Sequence, residues 1–265
     1  MKKKPRLKEK PGEVIEKDFL KGNRNLKRAR FEKEKSMYKK LEKTDIKTPE
    51  LIEAKNSEKK LLLEKIKPRE KTKKDNEKIV DTLIEFQFSG LKPKENIFLK
   101  ISDNPSIRLF YSSLVSIKNL GFIIFFRILK ELITYHLFYK KTKQGILLHN
   151  DFFWANVLKE KKEIKLLDLE SATTSRRWLF KDIVWFVLKR DNMENYNEML
   201  GLYIKKLKSK KPWEYKRINV EKEIKMVIIK RCVNCIKRNS PHSDYFLNIL
   251  NEIFDEKKKR KWFGY

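Results

Sequence analysis

His149, Asp151, Asn156 and Asp168 fall within one short stretch of the chain, and together they offer two carboxylates, an amide and an imidazole. Oxygen donors gathered this closely suit a hard cation and a phosphate chain. The residues between them predict how they are held. Val157-Leu158 and Leu166-Leu167 are apolar pairs on either side of a charged connection, Lys159 to Lys165, which is the pattern of a tight antiparallel hairpin with a solvated tip. Pairing Leu158 with Leu166 places Asn156 opposite Asp168, so an amide oxygen and a carboxylate meet at one end. Asp151 lies one loop earlier and faces the same space.

The chain has 265 residues, 40% of them hydrophobic and 38% charged, enough to bury a sizeable core as one domain or as two lobes sharing a cleft. The formal net charge is +29. Two readings of it stay open: a lysine-biased composition spread over solvated faces, or an acidic partner such as anionic lipid, nucleic acid or a phosphorylated substrate. The basic segments Lys2 to Lys10, Lys71 to Lys74, Lys205 to Lys211 and Lys257 to Lys261 read as solvated faces. Cys232 and Cys235 are the only cysteines, which excludes a disulfide framework and points to a reducing compartment. A zinc site needs about four ligands, and His136, His149 and His242 are scattered, so the pair reads as two ordinary, partly buried cysteines. No apolar segment follows Met1-Lys2-Lys3-Lys4-Pro5, so no secretory signal is expected. The most apolar window, Leu120 to Tyr139, contains Arg127, Lys130, Glu131 and His136, which predicts a core helix rather than a membrane span.

In chain order, a Pro11-Gly12 turn leads to a strand over Glu13 to Leu20 and a turn at Lys21-Gly22-Asn23. A helix over Arg24 to Leu41 follows, with Phe31, Met37, Tyr38 and Leu41 as its apolar face. Two further strands are expected at Glu50 to Ala54 and Lys60 to Ile66. A charged linker from Lys67 to Lys78 leads to a helix near Glu77 to Phe88. Beyond Leu91 the chain reads as mostly helical except for the hairpin, with helices expected at Ile107 to Lys118, Phe122 to Lys140, Trp178 to Lys189, Tyr196 to Leu207, Val220 to Lys237 and Tyr245 to Lys257. This is an α+β, two-lobed arrangement.

The order His149-x-Asp151-x-x-x-x-Asn156, followed by Asp168-x-Glu170, resembles the catalytic loop and metal-binding Asp of the protein-kinase-like superfamily. The resemblance implies that Asp151 orients the acceptor hydroxyl and takes its proton, that Asn156 and Asp168 hold Mg²⁺ against the phosphates of ATP, and that His149 braces the loop by a hydrogen bond. Lys17 in a strand, with Glu34 on the following helix, is similar to the Lys–Glu ion pair that anchors the nucleotide phosphates. Glu32 is the rival for that role. The strand ending at Glu64 and Ile66 lies where such enzymes place the adenine-binding hinge. Asp182 resembles the structural Asp that ties the next helix to the catalytic loop.

Asp168-Leu169-Glu170 replaces the usual Asp-Phe-Gly, and there is no Ala-Pro-Glu segment, which argues against an ordinary regulated protein kinase. The pattern is similar to small-molecule members such as choline and ethanolamine kinases and aminoglycoside phosphotransferases. Thr48-Pro49, and Arg176-Arg177 ahead of Lys181-Asp182, look closest to bacterial lipopolysaccharide core kinases. The resemblance therefore implies a protein-kinase-like two-lobed fold, with a reduced N-lobe over residues 1–68 and a mainly helical C-lobe over 69–265. It also implies transfer from ATP, with Mg²⁺, to a sugar or lipid-linked glycan hydroxyl, in the cytoplasm or peripherally on an anionic inner membrane face. Nucleic acid ranks below these as a partner. Against activity stands the glycine-rich loop: about a dozen residues precede the Lys17 strand, with Gly12 alone there, so a pseudokinase scaffold is the alternative.

Overall fold

The computed structural model describes residues 7–9, 14–19, 24–94, 99, 101, 104–188, 193–237, 243–255, 257, 258 and 262. The turns expected at Pro11-Gly12 and Lys21-Gly22-Asn23, and most of the terminal basic segments, lie outside these residues. The chain groups into two compact units, one of residues 1–103 with 147–174 and the other of residues 104–146 with 175–265. This partition differs from lobes of 1–68 and 69–265, because the hairpin carrying Asn156 and Asp168 belongs with the first strands.

The first unit holds a four-stranded antiparallel sheet in the order β1-β2-β4-β3, with β1 at Leu7–Glu9, β2 at Val14–Asp18, β3 at Leu51–Lys55 and β4 at Lys60–Glu64. Helix α1, Arg24–Leu41, has the bounds that its apolar spacing predicts, and it buries Phe31, Met37, Tyr38 and Leu41. On β4, Leu61 and Leu63 are buried, the alternation that one covered sheet face requires. The dozen residues ahead of the Lys17 strand do supply a short strand, β1, in which Leu7 pairs with Lys17 and Glu9 with Ile15. Helix α2, Asn76–Gln87, follows the linker. Within that linker Lys71 is no solvated side chain, since its ammonium donates to the Val157 carbonyl and to that of Trp154 at 2.7 Å. Strands β5, Ile146–Leu148, and β8, Thr173–Ser175, pair with each other, and β6, Val157–Glu160, pairs with β7, Glu163–Leu166.

The hairpin forms, but one residue out of the expected register: Val157 faces Leu166 and Leu158 faces Lys165. Glu160 faces Glu163, so the turn has only Lys161 and Lys162, and Lys161 takes the left-handed φ of 53° that such turns demand. Asn156 ends a short 3₁₀ turn and is joined by its carbonyl to the Leu167 N–H at 2.9 Å. Asn156 therefore stands beside Leu167 rather than opposite Asp168.

The second unit is helical: α3 Pro105–Val115, α4 Ile117–Leu120, α5 Phe122–Phe138, α6 Lys181–Leu188, α7 Met193–Lys210, α8 Pro212–Arg217, α9 Val220–Lys237 and α10 Ser243–Phe254. Helix α9, with Ile224, Val227, Ile228 and Val233 buried, packs against α3, α5, α6 and α10. Cys232 and Cys235 are free and buried on it, and burial pushes the Cys232 thiol up. Helix α6 begins at Lys181 rather than Trp178, because Trp178 has a φ of 69°. The core-helix expectation for Leu120 to Tyr139 holds for one face of α5 only: Phe125, Ile128, Leu132 and Tyr135 are buried, whereas Phe122, Phe126 and Leu137 are exposed.

Glu223 of α9 is buried and accepts hydrogen bonds from the Tyr135 hydroxyl and, at 2.8 Å, from the Leu179 N–H. Burial pushes its carboxyl up from 4.5 to about 7. A raised carboxyl favours the fold while it is protonated. Its contribution is therefore full below pH 4.5 and is lost as pH rises through about 7, a change of about 3 kcal/mol. Melting curves of wild type and Glu223→Gln, compared from pH 4 to 8, should show the wild type losing ground across that window. A difference that stays flat with pH excludes the raised carboxyl.

Candidate active site

The two sides of the site come from β2 and α1 on one hand, and from the segment after β7 on the other. Glu16 and Lys17 are both buried on β2. The Lys17 ammonium donates to Glu34 Oε2 at 2.6 Å and to Asp168 Oδ1 at 2.7 Å, and lies 3.9 Å from Glu170 Oε2. Glu34 rather than Glu32 meets Lys17, since Glu32 is paired with Lys35 one helical turn on. The other Glu34 oxygen accepts the Leu169 N–H at 3.2 Å. One ammonium thus joins the strand, the helix and the carboxylate of Asp168.

Burial works against the charge of Lys17, but Glu34, Asp168 and Glu170 more than offset it and hold the ammonium above its ordinary range. Burial pushes the Glu170 carboxyl up, and the neighbouring Asp168 adds to that. Ligand oxygens of Glu34, Asp168 and Glu170 lie within 4.8 Å of one another. Three hard oxygen donors around a single ammonium leave a surplus of negative charge, so the donor set fits a small divalent cation such as Mg²⁺.

Backbone strain places Asp168. Its φ of 60° and ψ of 59° are left-handed, a conformation tolerated by Asp and Asn better than by most residues. Asn150 is left-handed as well, at φ 65°, and its amide donates to the Ser171 carbonyl at 2.8 Å. His149 is fully buried, with Nε2 at 2.8 Å from the Leu167 carbonyl and its ring against Phe86 and Phe152. Both residues tie the loop before Asp151 to the segment around Asp168. The Asn156 amide nitrogen donates to the Asp151 carbonyl at 2.9 Å and to Asp151 Oδ2 at 3.2 Å. That leaves the Asn156 amide oxygen as the atom it can offer a cation.

Other predicted site residues are placed differently. The Glu64 carboxylate is engaged by Lys165 at 3.0 Å and by the Glu50 N–H at 3.2 Å, and Ile66 is buried. Asp182 is buried in the first turn of α6.

No protein-family model matches the sequence, and no curated protein matches it. Solved structures do resemble its fold. A choline kinase from Streptococcus pneumoniae is 10% identical with a TM-score of 0.61, covering 91% of this chain and 85% of its own. A choline kinase from Cryptosporidium parvum is 14% identical with a TM-score of 0.58, covering 93% and 82%. An ADP-bound aminoglycoside phosphotransferase, APH(2'')-Ib, is 12% identical with a TM-score of 0.53, covering 94% and 88%. The fold is that of the protein-kinase-like small-molecule kinases.

Within this kinase-like fold, three side chains at the site were not singled out from sequence. Glu170 could have been found, because the Asp-x-Glu spacing sets it beside Asp168. Lys33 is fully buried and donates to the Ala172 carbonyl at 2.8 Å, and Arg30 lies 3.5 Å from Glu170. Both are single residues among many lysines and arginines on α1, and nothing local marks them. Lys17→Met should destabilise strongly, by about 3 kcal/mol or more, because it strands buried carboxylates without a counterion. Adding Glu34→Gln should recover part of that loss, as denaturant titration of the single and double variants would show. Additive losses would sink the pairing.

Proposed function

We propose that this chain is an ATP-dependent phosphotransferase that acts on a hydroxyl of a sugar or lipid-linked glycan. The observation that carries the reading is the convergence of Glu34 and Asp168 on the Lys17 ammonium, beside a loop in which Asn156 holds Asp151. Lys17 would anchor the nucleotide phosphates. Asn156 and Asp168, with Glu170 adjacent, would hold Mg²⁺, which would offset phosphate charge. Asp151, its carboxylate oriented by the Asn156 amide, would position the acceptor hydroxyl and take its proton. Phosphoryl transfer asks little covalent work of a protein, so placement and electrostatics would carry the rate.

The ADP held by the aminoglycoside phosphotransferase supports ATP as the donor, and the hinge role of Glu64 and Ile66 and the tether role of Asp182 stand as parts of the same proposal. The sugar or glycan acceptor rests on Thr48-Pro49 and Arg176-Arg177. A lipid-linked acceptor would be met at an anionic membrane face, which suits the formal net charge of +29. Among the described residues no helix is long and apolar enough to cross a membrane.

The pseudokinase scaffold is the alternative reading: β1 pairs with the Lys17 strand, while the connection between them, with Gly12 alone, lies outside the described residues. Mg·ATP should raise the melting temperature by several degrees, because a ligand that binds only the folded state stabilises it. ATP without Mg²⁺ should give a smaller shift. No shift with either would overturn the ATP reading and favour a silent scaffold.

A further inference from the structure

Two helices of the second unit wear their apolar faces outward. On α3, Ile107, Phe110, Tyr111, Leu114 and Val115 are exposed, and these positions repeat at the spacing of a single helical stripe. The face turned inward buries Pro105 and Leu109 in its first half but Ser112 and Ser113 in its second, and Ser116 at its C-cap is buried as well. A helix that meets only water would place serines outside and Phe, Leu and Val inside, so the second half of α3 is reversed. Helix α5 is apolar on both faces: opposite the buried Phe125, Ile128, Leu132 and Tyr135, Phe122, Ile123, Phe126, Leu137 and Phe138 are 60–76% exposed.

The two helices form one hairpin. They pack together, and His136 Nε2 near the end of α5 lies 2.8 Å from Ser106 Oγ at the start of α3. Exposed apolar side chains on adjacent helices mark an interaction surface rather than scattered surface residues.

The charges around this surface identify what would cover it. From residue 104 to residue 141 the basic side chains are Arg108, Lys118, Arg127, Lys130, Lys140 and Lys141, and Glu131 is the single acid. Glu131 is already engaged by Lys225 at 2.7 Å and Lys222 at 3.5 Å. Lys118, Arg127, Lys130 and Lys140 are exposed, and Lys237 lies 4.3 Å over the Tyr111 ring. A second copy would bring the same cations against each other on chains of net charge +29. An apolar face rimmed by lysine and arginine is instead complementary to anionic headgroups over acyl chains. Helix α5 has 17 residues and does not qualify as a span, so it would lie in the interface plane.

We propose that the α3–α5 hairpin is a membrane-docking surface, seating Phe110, Phe126 and Phe138 in the acyl boundary of an anionic leaflet while Arg127 and Lys130 meet its headgroups. This goes beyond the phosphotransferase reading and does not depend on it.

The test is flotation of the full-length protein with vesicles of phosphatidylcholine alone and of phosphatidylcholine with 30% phosphatidylglycerol (about the range in which cytoplasmic-leaflet potentials act). The wild type should float with the anionic vesicles at least tenfold more strongly than with the neutral ones. The triple variant Phe110→Ser/Phe126→Ser/Phe138→Ser should lose at least tenfold of that binding, with its melting temperature and its Mg·ATP shift retained. Arg127→Ser/Lys130→Ser should weaken binding and flatten its salt dependence. A tryptophan at Phe126 (Phe126→Trp) should shift to the blue on anionic vesicles. Equal flotation with both vesicle types, or full binding by the triple serine variant, would overturn the proposal. So would a dimer in lipid-free sedimentation that the serine variant abolishes, since the face would then belong to a second copy.

Discussion

Asp168→Asn should leave the protein folded and reduce phosphoryl transfer on the order of a thousandfold, the scale lost when a preorganised charge at the transferring group is removed. Asparagine is the informative replacement because of the backbone. Asp168 sits at φ 60° and ψ 59°, which Asn adopts readily, whereas Ala there would add strain of about 1 kcal/mol and mix a folding loss into the activity measurement. The amide oxygen can still accept from Lys17. Removing the charge deletes one attraction, to Lys17 at 2.7 Å, together with repulsions from Glu34 and Glu170 inside a 4.8 Å cluster. Metal-free stability should therefore stay near that of wild type while activity collapses. The variant should also lose the extra melting shift that Mg²⁺ gives with ATP. Transfer at wild-type rates by a folded Asn variant would remove Asp168 from the mechanism.

That contrast has a physical origin. Three carboxylates face the Lys17 ammonium, with Arg30 reaching only Glu170, and burial raises the charged form's cost for Glu34, lifting its carboxyl to about 7 with Asp168 and Glu170 adding to the shift. A site built only for stability would carry fewer anions. The surplus is what a bound divalent cation would use.

Legibility of the sequence followed the range of the interaction that decides each feature. Helices α1 and α9 were bounded correctly because apolar spacing and flanking breakers are local. The pairing of Lys17 with Glu34 was readable because strand and helix are consecutive and the spacing is short. The hairpin register was not. Either of two apolar pairs could have been matched, and the choice fell to the two-residue turn at Lys161-Lys162, where no Gly or Asn announces a left-handed residue. Strand β1, Leu-Lys-Glu, has no alternation of its own and exists only through its partner β2. Lys71 was hidden for another reason: composition marked it as linker, but its ammonium reaches the carbonyls of Trp154 and Val157 and lies 4.1 Å over the Trp154 ring. The outward faces of α3 and α5 were also invisible, since periodicity reports that a helix has an apolar stripe and not which way the stripe points.

Asp151→Asn should cost about a hundred- to ten-thousandfold in kcat, the usual contribution of a positioned general base, with little change in the KM for ATP. The prediction follows from where Asp151 is held. Asn156 binds both its carbonyl and its Oδ2, so the carboxylate is oriented by the residue that would also offer a metal ligand. An amide at position 151 can still accept the Asn156 hydrogen bond through its oxygen, and the loop remains braced by His149 on Leu167 and Asn150 on Ser171. On the proposed reading, fold, nucleotide site and metal ligands would all be retained, and only the ability to take the acceptor's proton would be lost. Loss of Asp168 should instead weaken Mg·ATP binding and turnover together, so the two variants separate metal holding from proton transfer. A melting shift with Mg·ATP that survives in Asp151→Asn, alongside a collapsed turnover, is the expected pair of results. Full turnover by that variant would assign the proton to another acceptor and leave Asp151 a structural partner of Asn156.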